Sequence, residues 1–204
     1  MPMTPSTAPS DTELLRQMRA GTAAAFETLY LRHQGPLYRF AVLRSGSAAT
    51  AADVVQDVFM GLLTGSVKFD PTRGLVRNFL FGVARNLVMK HEQSRQRGAA
   101  LLATGDGDDA DDGSNGDTRF DSADDAAGPL ARMLGNEQAE AVRRALARLP
   151  PHYRDVVILY EMHDLSYLEI AAICQLDIGT VRSRLSRGRA ALVKRLGAHR
   201  PAMI

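Results

Sequence analysis

Residues 98–130 decide how this chain can be built. Between 105 and 125 they hold nine Asp and one Arg among Gly, Ala and Ser, with Phe120 as the segment's one aromatic. Such a stretch buries too little apolar area to offset the entropy of ordering it, and its like charges repel. The foldable remainder is two stretches, 11–97 and 131–197, each short enough to be a small module. The expected organisation is therefore a disordered N-terminus (1–10), a first module (11–97), a flexible acidic linker (98–130), a second module (131–197) and a C-terminal tail (198–204).

Both modules read as helical, so the expected fold class is all-α. Apolar residues recur at helical spacing, as in Phe26, Leu29, Tyr30, Leu37, Phe40 and Ala41. Asp11 is positioned to cap a helix over 12–19, and Gly35-Pro36 should kink or break the one that follows. Further helices are expected over about 48–63 and 75–96, separated by the turn-rich loop Phe69-Asp-Pro-Thr-Arg-Gly74. In the last of these, Val76, Phe79, Leu80, Val83 and Leu87 form the expected buried stripe. Asn78, Gly82, Arg85 and Met89 lie opposite, with Phe81 and Asn86 on the flanks.

In the second module, Ser166-Tyr-Leu-Glu169 matches a capping box, so a short helix should run to Cys174. A turn over 175–179 then leads into a basic helix, with seven Lys/Arg and no acid between Ile178 and Ile204. Short capped helix, tight turn and basic helix make a helix-turn-helix. On a helical wheel Val181, Leu185, Gly188, Leu192 and Leu196 share the packing side. Thr180, Ser183, Arg187 and Lys194 face away, flanked by Arg182 and Arg184. Arg pairs bidentately with guanine and Ser or Thr bonds either base type, while flanking arginines reach phosphates, so this face suits a DNA major groove.

Charge supports a polyanionic partner. The strap at 105–125 carries −8 in a chain whose total is +2, which leaves +10 on the rest.

Three blocks of the second module carry a family resemblance: residues 147–159, Leu165-Ser-Tyr-Leu-Glu-Ile-Ala171, and Gly179-Thr-Val-Arg-Ser-Arg184 with its continuation to Leu192. They resemble region four of the extracytoplasmic-function (ECF) sigma factors of bacterial RNA polymerase, the module that binds the upstream, minus-thirty-five promoter element. The resemblance places Thr180, Arg182, Ser183, Arg184 and Arg187 at the DNA.

The stretch Ala52-Asp-Val-Val-Gln-Asp-Val-Phe59 resembles region two of the same family. Asp53, Gln56 and Asp57, spaced i, i+3, i+4, share one helix face. The spacing alone gives a solvated acidic face, or one fitted to a basic partner. The resemblance assigns it to docking on the polymerase's largest subunit.

Phe69-Asp-Pro-x-Arg-Gly74 followed by Phe79-Leu-Phe-Gly-Val-Ala-Arg-Asn86 is the second block of that region. The resemblance gives this helix, through Asn78, Phe81, Arg85 and Asn86, the downstream minus-ten element and its opened strand, with the loop 66–74 reading a flipped base. Read from the residues, Phe81 is either an ordinary core aromatic or a stacking platform. The family often has Trp at the position of Phe79, and several arginines where 90–97 here are thinner in charge.

The implied function is an alternative sigma factor. It would bind core RNA polymerase and promoter DNA, work in the cytoplasm, and be controlled by an anti-sigma factor. Linkers in this family thread polymerase channels that later hold RNA, which an acidic strap would mimic in charge.

Other classes fit less well. With Gly113 or Gly116 as the required glycine, the strap places Arg119 or Ser122 where a calcium loop needs an acid. His33, His91, His152, His163 and His199 lack metal-ligand spacing, and no phosphate-cradling loop or nucleophile elbow is present. No enzyme activity, cofactor or metal is expected, and His163, beside Asp164 in a loop, is expected to be solvated. One cysteine, Cys174, fits a reducing compartment. The N-terminus lacks the charged start and apolar core of a signal peptide, and no stretch suggests membrane insertion. A stand-alone helix-turn-helix regulator with a sensing N-terminal half is the alternative; polymerase binding discriminates it.

Overall fold

A computed structural model of the chain describes residues 8–103 and 129–197. Among them are eight α-helices and no strand: α1 Asp11–Arg19, α2 Ala23–Ser45, α3 Ala48–Thr64, α4 Val76–Ala103, α5 Pro129–Ala147, α6 Pro151–Glu161, α7 Tyr167–Cys174 and α8 Ile178–Gly197. Of the N-terminus expected to be disordered over 1–10, residues 1–7 lie outside the described residues, as do the acidic strap at 105–125 and the tail 198–204.

The caps explain most boundaries. Ser10, rather than Asp11, caps α1: its hydroxyl accepts from the Glu13 N–H at 3.3 Å. Ser47 does the same for α3 through Thr50 at 3.2 Å. Gly46 and Gly65 close α2 and α3 in the left-handed conformation, which glycine adopts without a Cβ clash. Pro151 opens α6, and the Ser166–Glu169 capping box starts α7 as its sequence requires. Asp177 caps α8, accepting from the Thr180 N–H at 2.7 Å.

Three local expectations are corrected. Helix α2 runs unbroken through Pro36. A proline inside a helix costs about 3 kcal/mol. Here α2 is the central helix, packed by α1, α3, α4, α5 and α6, and burial of Leu29, Leu37, Phe40 and Ala41 keeps the chain helical across the lost bond. Helix α4 continues to Ala103 rather than stopping near 96, because 93–103 are mostly good helix formers. Its buried stripe is Val76, Leu80, Phe81, Ala84 and Val88. Phe79, Val83 and Leu87 are only partly buried. The stripe is turned because α4 packs on two sides at once, against α2 and α3 and against α7.

That second contact was not legible from periodicity. The C-terminal helices do not stand apart from the N-terminal ones: α6 packs on α2, α7 on α4, and the buried apolar residues form one cluster spanning both. Gly82 of α4 faces the Ile173 carbonyl of α7 at this seam. Three rings also meet there, with Phe81 5.6 Å from Phe40 and 4.8 Å from His163. His163 is only 5% exposed, not solvated as expected. The turn after α6 folds its ring inward against Phe81 and Phe40.

Candidate nucleic-acid interface

The outer face of α8 is where the sequence put it. Val181, Leu185 and Gly188 are buried against the preceding helices. Arg182, Ser183 and Arg187 are exposed, and Thr180 and Arg184 half-buried. A Cβ on Gly188 would lie 2.6 Å from Val157 Cγ2, so glycine sets how closely α8 approaches α6. Arg182, Arg184 and Arg187 have no ion-pair partner among the described residues, although Arg182 lies 5.9 Å from the Tyr167 ring. Their charges are thus available to a polyanion.

Arg189, on the same helix, is engaged: it bonds Glu161 at 2.5 Å and sits 4.8 Å from the Tyr160 ring. It ties α8 to α6. The Thr180 hydroxyl donates to Asp177 Oδ2 at 2.6 Å, and the Ser183 hydroxyl to the Thr180 carbonyl at 3.0 Å. These bonds order the first turn of α8, and those to Thr180 hold the Asp177 carboxyl below its usual range.

The four α4 residues are arranged differently from the sequence expectation. Phe81 is 1% exposed, a core aromatic in this arrangement rather than a free stacking surface. Arg85 Nε donates to Asp155 Oδ2 of α6 at 2.7 Å. Asn78 is half-buried beside Glu169 of α7, and its Oδ1 has no partner. Burial opposes ionisation of Glu169, but the Ser166 N–H and hydroxyl and the Asn78 amide together hold its pKa down. Asn86 alone is exposed. Three of the four therefore face the C-terminal helices.

Sequence reasoning missed the residues that make this seam. Arg44 is 1% exposed and pairs with both Asp155 and Glu92. Burial disfavours its charge, but the two carboxylates outweigh that and raise its pKa. Arg154 donates to the Arg44 carbonyl at 2.7 Å and to the Leu149 carbonyl at 2.9 Å, closing the end of α5. Arg77 donates to the His163 carbonyl. The one available signal was Asp155, a carboxylate directly before the apolar run 156–159.

On α3, Asp53, Gln56 and Asp57 are exposed on one face. Gln56 also borders a groove of about 640 Å³ between α2 and α3, walled by Tyr30, Tyr38, Phe59, Met60 and Leu63. Met60 and Leu63 are about half exposed there. An acidic face beside an apolar groove fits a partner helix with both basic and apolar side chains.

Residues 29–98 match the family described as Sigma-70 region 2, and residues 139–192 the one described as Sigma-70, region 4. The ECF RNA polymerase sigma factor SigM of Mycobacterium tuberculosis is 32% identical over 190 residues, covering 92% of this chain and 85% of its own. Among solved structures, the sigma factor RpoE in complex with the anti-sigma factor NepR from Bartonella quintana is 27% identical. It covers 86% of this chain and 98% of its own, with a TM-score of 0.60. CnrH in complex with the cytosolic domain of CnrY is also 27% identical, covering 94% and 99%, with a TM-score of 0.63.

Proposed function

The chain belongs to the ECF family of RNA polymerase sigma factors, and we propose that it joins core polymerase through α3, reads the upstream promoter element with α8 and opens the downstream one with α4. The observation that carries this reading is the unneutralised set Arg182, Arg184 and Arg187 on a helix whose first turn is ordered by Asp177. Thr180, Ser183 and Arg187 reach base edges, and Arg182 and Arg184 the flanking phosphates. The Asp53, Gln56 and Asp57 face, with the groove beside it, takes the polymerase. Residues 11–97 and 131–197 are the working modules.

The seam gives the reading a consequence. With Phe81 in the core and Arg85 on Asp155, α4 cannot take up an opened strand, so the two groups of helices part when the chain engages polymerase. Asn78, Phe81, Arg85 and Asn86 then come to face the strand. The two solved relatives are bound to anti-sigma partners, and we assign this chain a partner of the same kind, acting on the same faces.

Transcription by core RNA polymerase on promoter fragments from the host genome, with and without the protein, tests the reading. Discrete start sites that depend on the protein support it, and aligning them defines both promoter elements. Absence of start sites together with absence of core binding overturns it in favour of a stand-alone regulator.

A further inference from the structure

Asp177 is the last acid in the chain, and it stands at the tip of a helix whose charged residues are all basic. It is exposed. Capping alone does not require it, because serine, threonine and asparagine cap as well without a charge. Beside DNA phosphates a carboxylate meets a repulsion that those residues avoid. A charged cap on this face is accounted for by a partner on the bases.

The hydrogen bonds at the tip fix which groups can donate. Thr180 gives its N–H to Asp177 Oδ1 at 2.7 Å and its hydroxyl proton to Oδ2 at 2.6 Å. These bonds hold the carboxyl below its usual range, so at neutral pH it is ionised and only accepts. A bond from a hydroxyl to a carboxylate is about twice as strong as one between neutral groups. The Thr180 proton is therefore committed, and its oxygen offers lone pairs alone. Ser183 differs. Its hydroxyl donates to the Thr180 carbonyl at 3.0 Å, a neutral bond that is readily exchanged for one to a base. Gly179 leaves the carboxylate uncovered, since a Cβ there would lie 3.1 Å from Oδ1. Asp177 and Thr180 thus present an edge of acceptors with no donor.

Resting on the assignment of α8 to the upstream element, we propose that Asp177 and Thr180 set the base choice at one position of that element: together they accept from the exocyclic amine of cytosine or adenine and reject guanine and thymine. In the major groove cytosine N4 and adenine N6 donate, whereas guanine N7 and O6 and thymine O4 only accept. Guanine or thymine against this edge sets acceptor against acceptor and strips water from a carboxylate without replacing it. Asp177 is then a specificity residue as well as a cap, and Thr180 reads one class of base rather than either.

The test uses holoenzyme assembled from core polymerase and the full-length chain. It is titrated by fluorescence anisotropy against promoter duplexes carrying each base at every upstream position, the element being the one that the start sites define. At one position cytosine or adenine should bind about tenfold more tightly than guanine and thymine. Replacing that base by its analogue lacking only the exocyclic amine should cost as much as guanine or thymine does. Thr180→Ser keeps the bond to Asp177 and should keep the preference. Thr180→Val keeps the shape without the oxygen and should lose it. Asp177→Ser still caps the helix, so it should melt near the wild-type temperature. It frees the Thr180 proton, however, and should largely level the four bases. Protein-dependent start sites with no such position overturn the proposal and leave the promoter-binding reading standing. So does a preference that survives both Asp177→Ser and Thr180→Val. If Asp177→Ser weakens every sequence evenly, Asp177 is a cap alone and the proposal fails. Absence of start sites together with absence of core binding overturns the reading itself, and the proposal with it.

Discussion

Arg44 of α2 and Asp155 of α6 form a buried ion pair across 111 residues of sequence, and Asp155 also holds Arg85 of α4. One carboxylate thus engages the central helix and the helix assigned to strand opening. Removing one partner of a buried pair strands the other charge, at a cost of about 3–5 kcal/mol. Glu92, still bound to Arg44, should keep the loss near the lower end. Asp155→Ala should therefore loosen the seam before it unfolds either group of helices. A larger radius of gyration in X-ray scattering and tighter binding of single-stranded downstream DNA are the expected results. An unchanged radius with unchanged DNA affinity would show that Asp155 does not hold the seam.

The seam should also weaken in acid. Burial first, then the charges of Arg39 and Arg77, push the His163 pKa down from 6.5 to about 4. The folded chain thus binds fewer protons than the unfolded chain between those values. Stability is unaffected above about pH 6.5 and falls as the pH drops towards about 4, by up to roughly 3 kcal/mol from this residue. His33, held down chiefly by its own burial, acts in the same direction. Chemical denaturation between pH 7 and 5, in phosphate-free buffer, should show this slope, and His163→Phe should flatten it. A slope as steep in the variant as in the parent would assign the effect elsewhere.

What the sequence disclosed follows a physical pattern. Caps and turn residues act within four positions, so the Ser166–Glu169 box and the outward face of α8 were readable. The capping of α1 was misplaced by one residue, from Ser10 to Asp11, because both side chains are competent caps. Phe81 was open between core and surface, since a helix buried on two sides has no single apolar stripe to read. Arg44, Arg154 and His163 were not readable at all. A charged or polar residue is buried only because a distant partner meets it, and sequence spacing does not encode that meeting. The same limit hid the packing of α6 and α7 onto α2 and α4.

Arg187 is exposed and has no hydrogen-bond or ion-pair partner among the described residues, so its removal should be felt chiefly by DNA. Arg187→Ala should leave the melting temperature unchanged. If its guanidinium reads a guanine, upstream-element binding should weaken by about 1–3 kcal/mol, with relaxed preference at one base position. A phosphate contact would instead weaken binding evenly across sequences and reduce the salt dependence by about one ion. Gel-shift or anisotropy titrations over a range of salt, on a set of single-base promoter variants, separate the two. No loss on any sequence would remove Arg187 from the interface.

Gly188 offers a test of how α8 is seated. In a helix, Gly→Ala usually adds stability, by about 1 kcal/mol. A Cβ at 188 would press to 2.6 Å from Val157 Cγ2, with Tyr153 Cβ and carbonyl oxygen at 3.5 and 3.6 Å. Val157 is itself buried and Tyr153 sits on the same helix, so the clash is with α6 as a body. Overpacking of this kind costs about 1–3 kcal/mol. Gly188→Ala should therefore destabilise the protein and weaken promoter binding, since α8 is displaced from the helix that Arg189 ties it to. Val157→Ala removes the methyl that is struck, so the double variant should be more stable than the sum of the two singles. Gly98, on α4 with open space around it, is the matched control: Gly98→Ala should raise the melting temperature. If both alanines stabilise alike, the close approach of α8 to α6 is not what fixes the reading face.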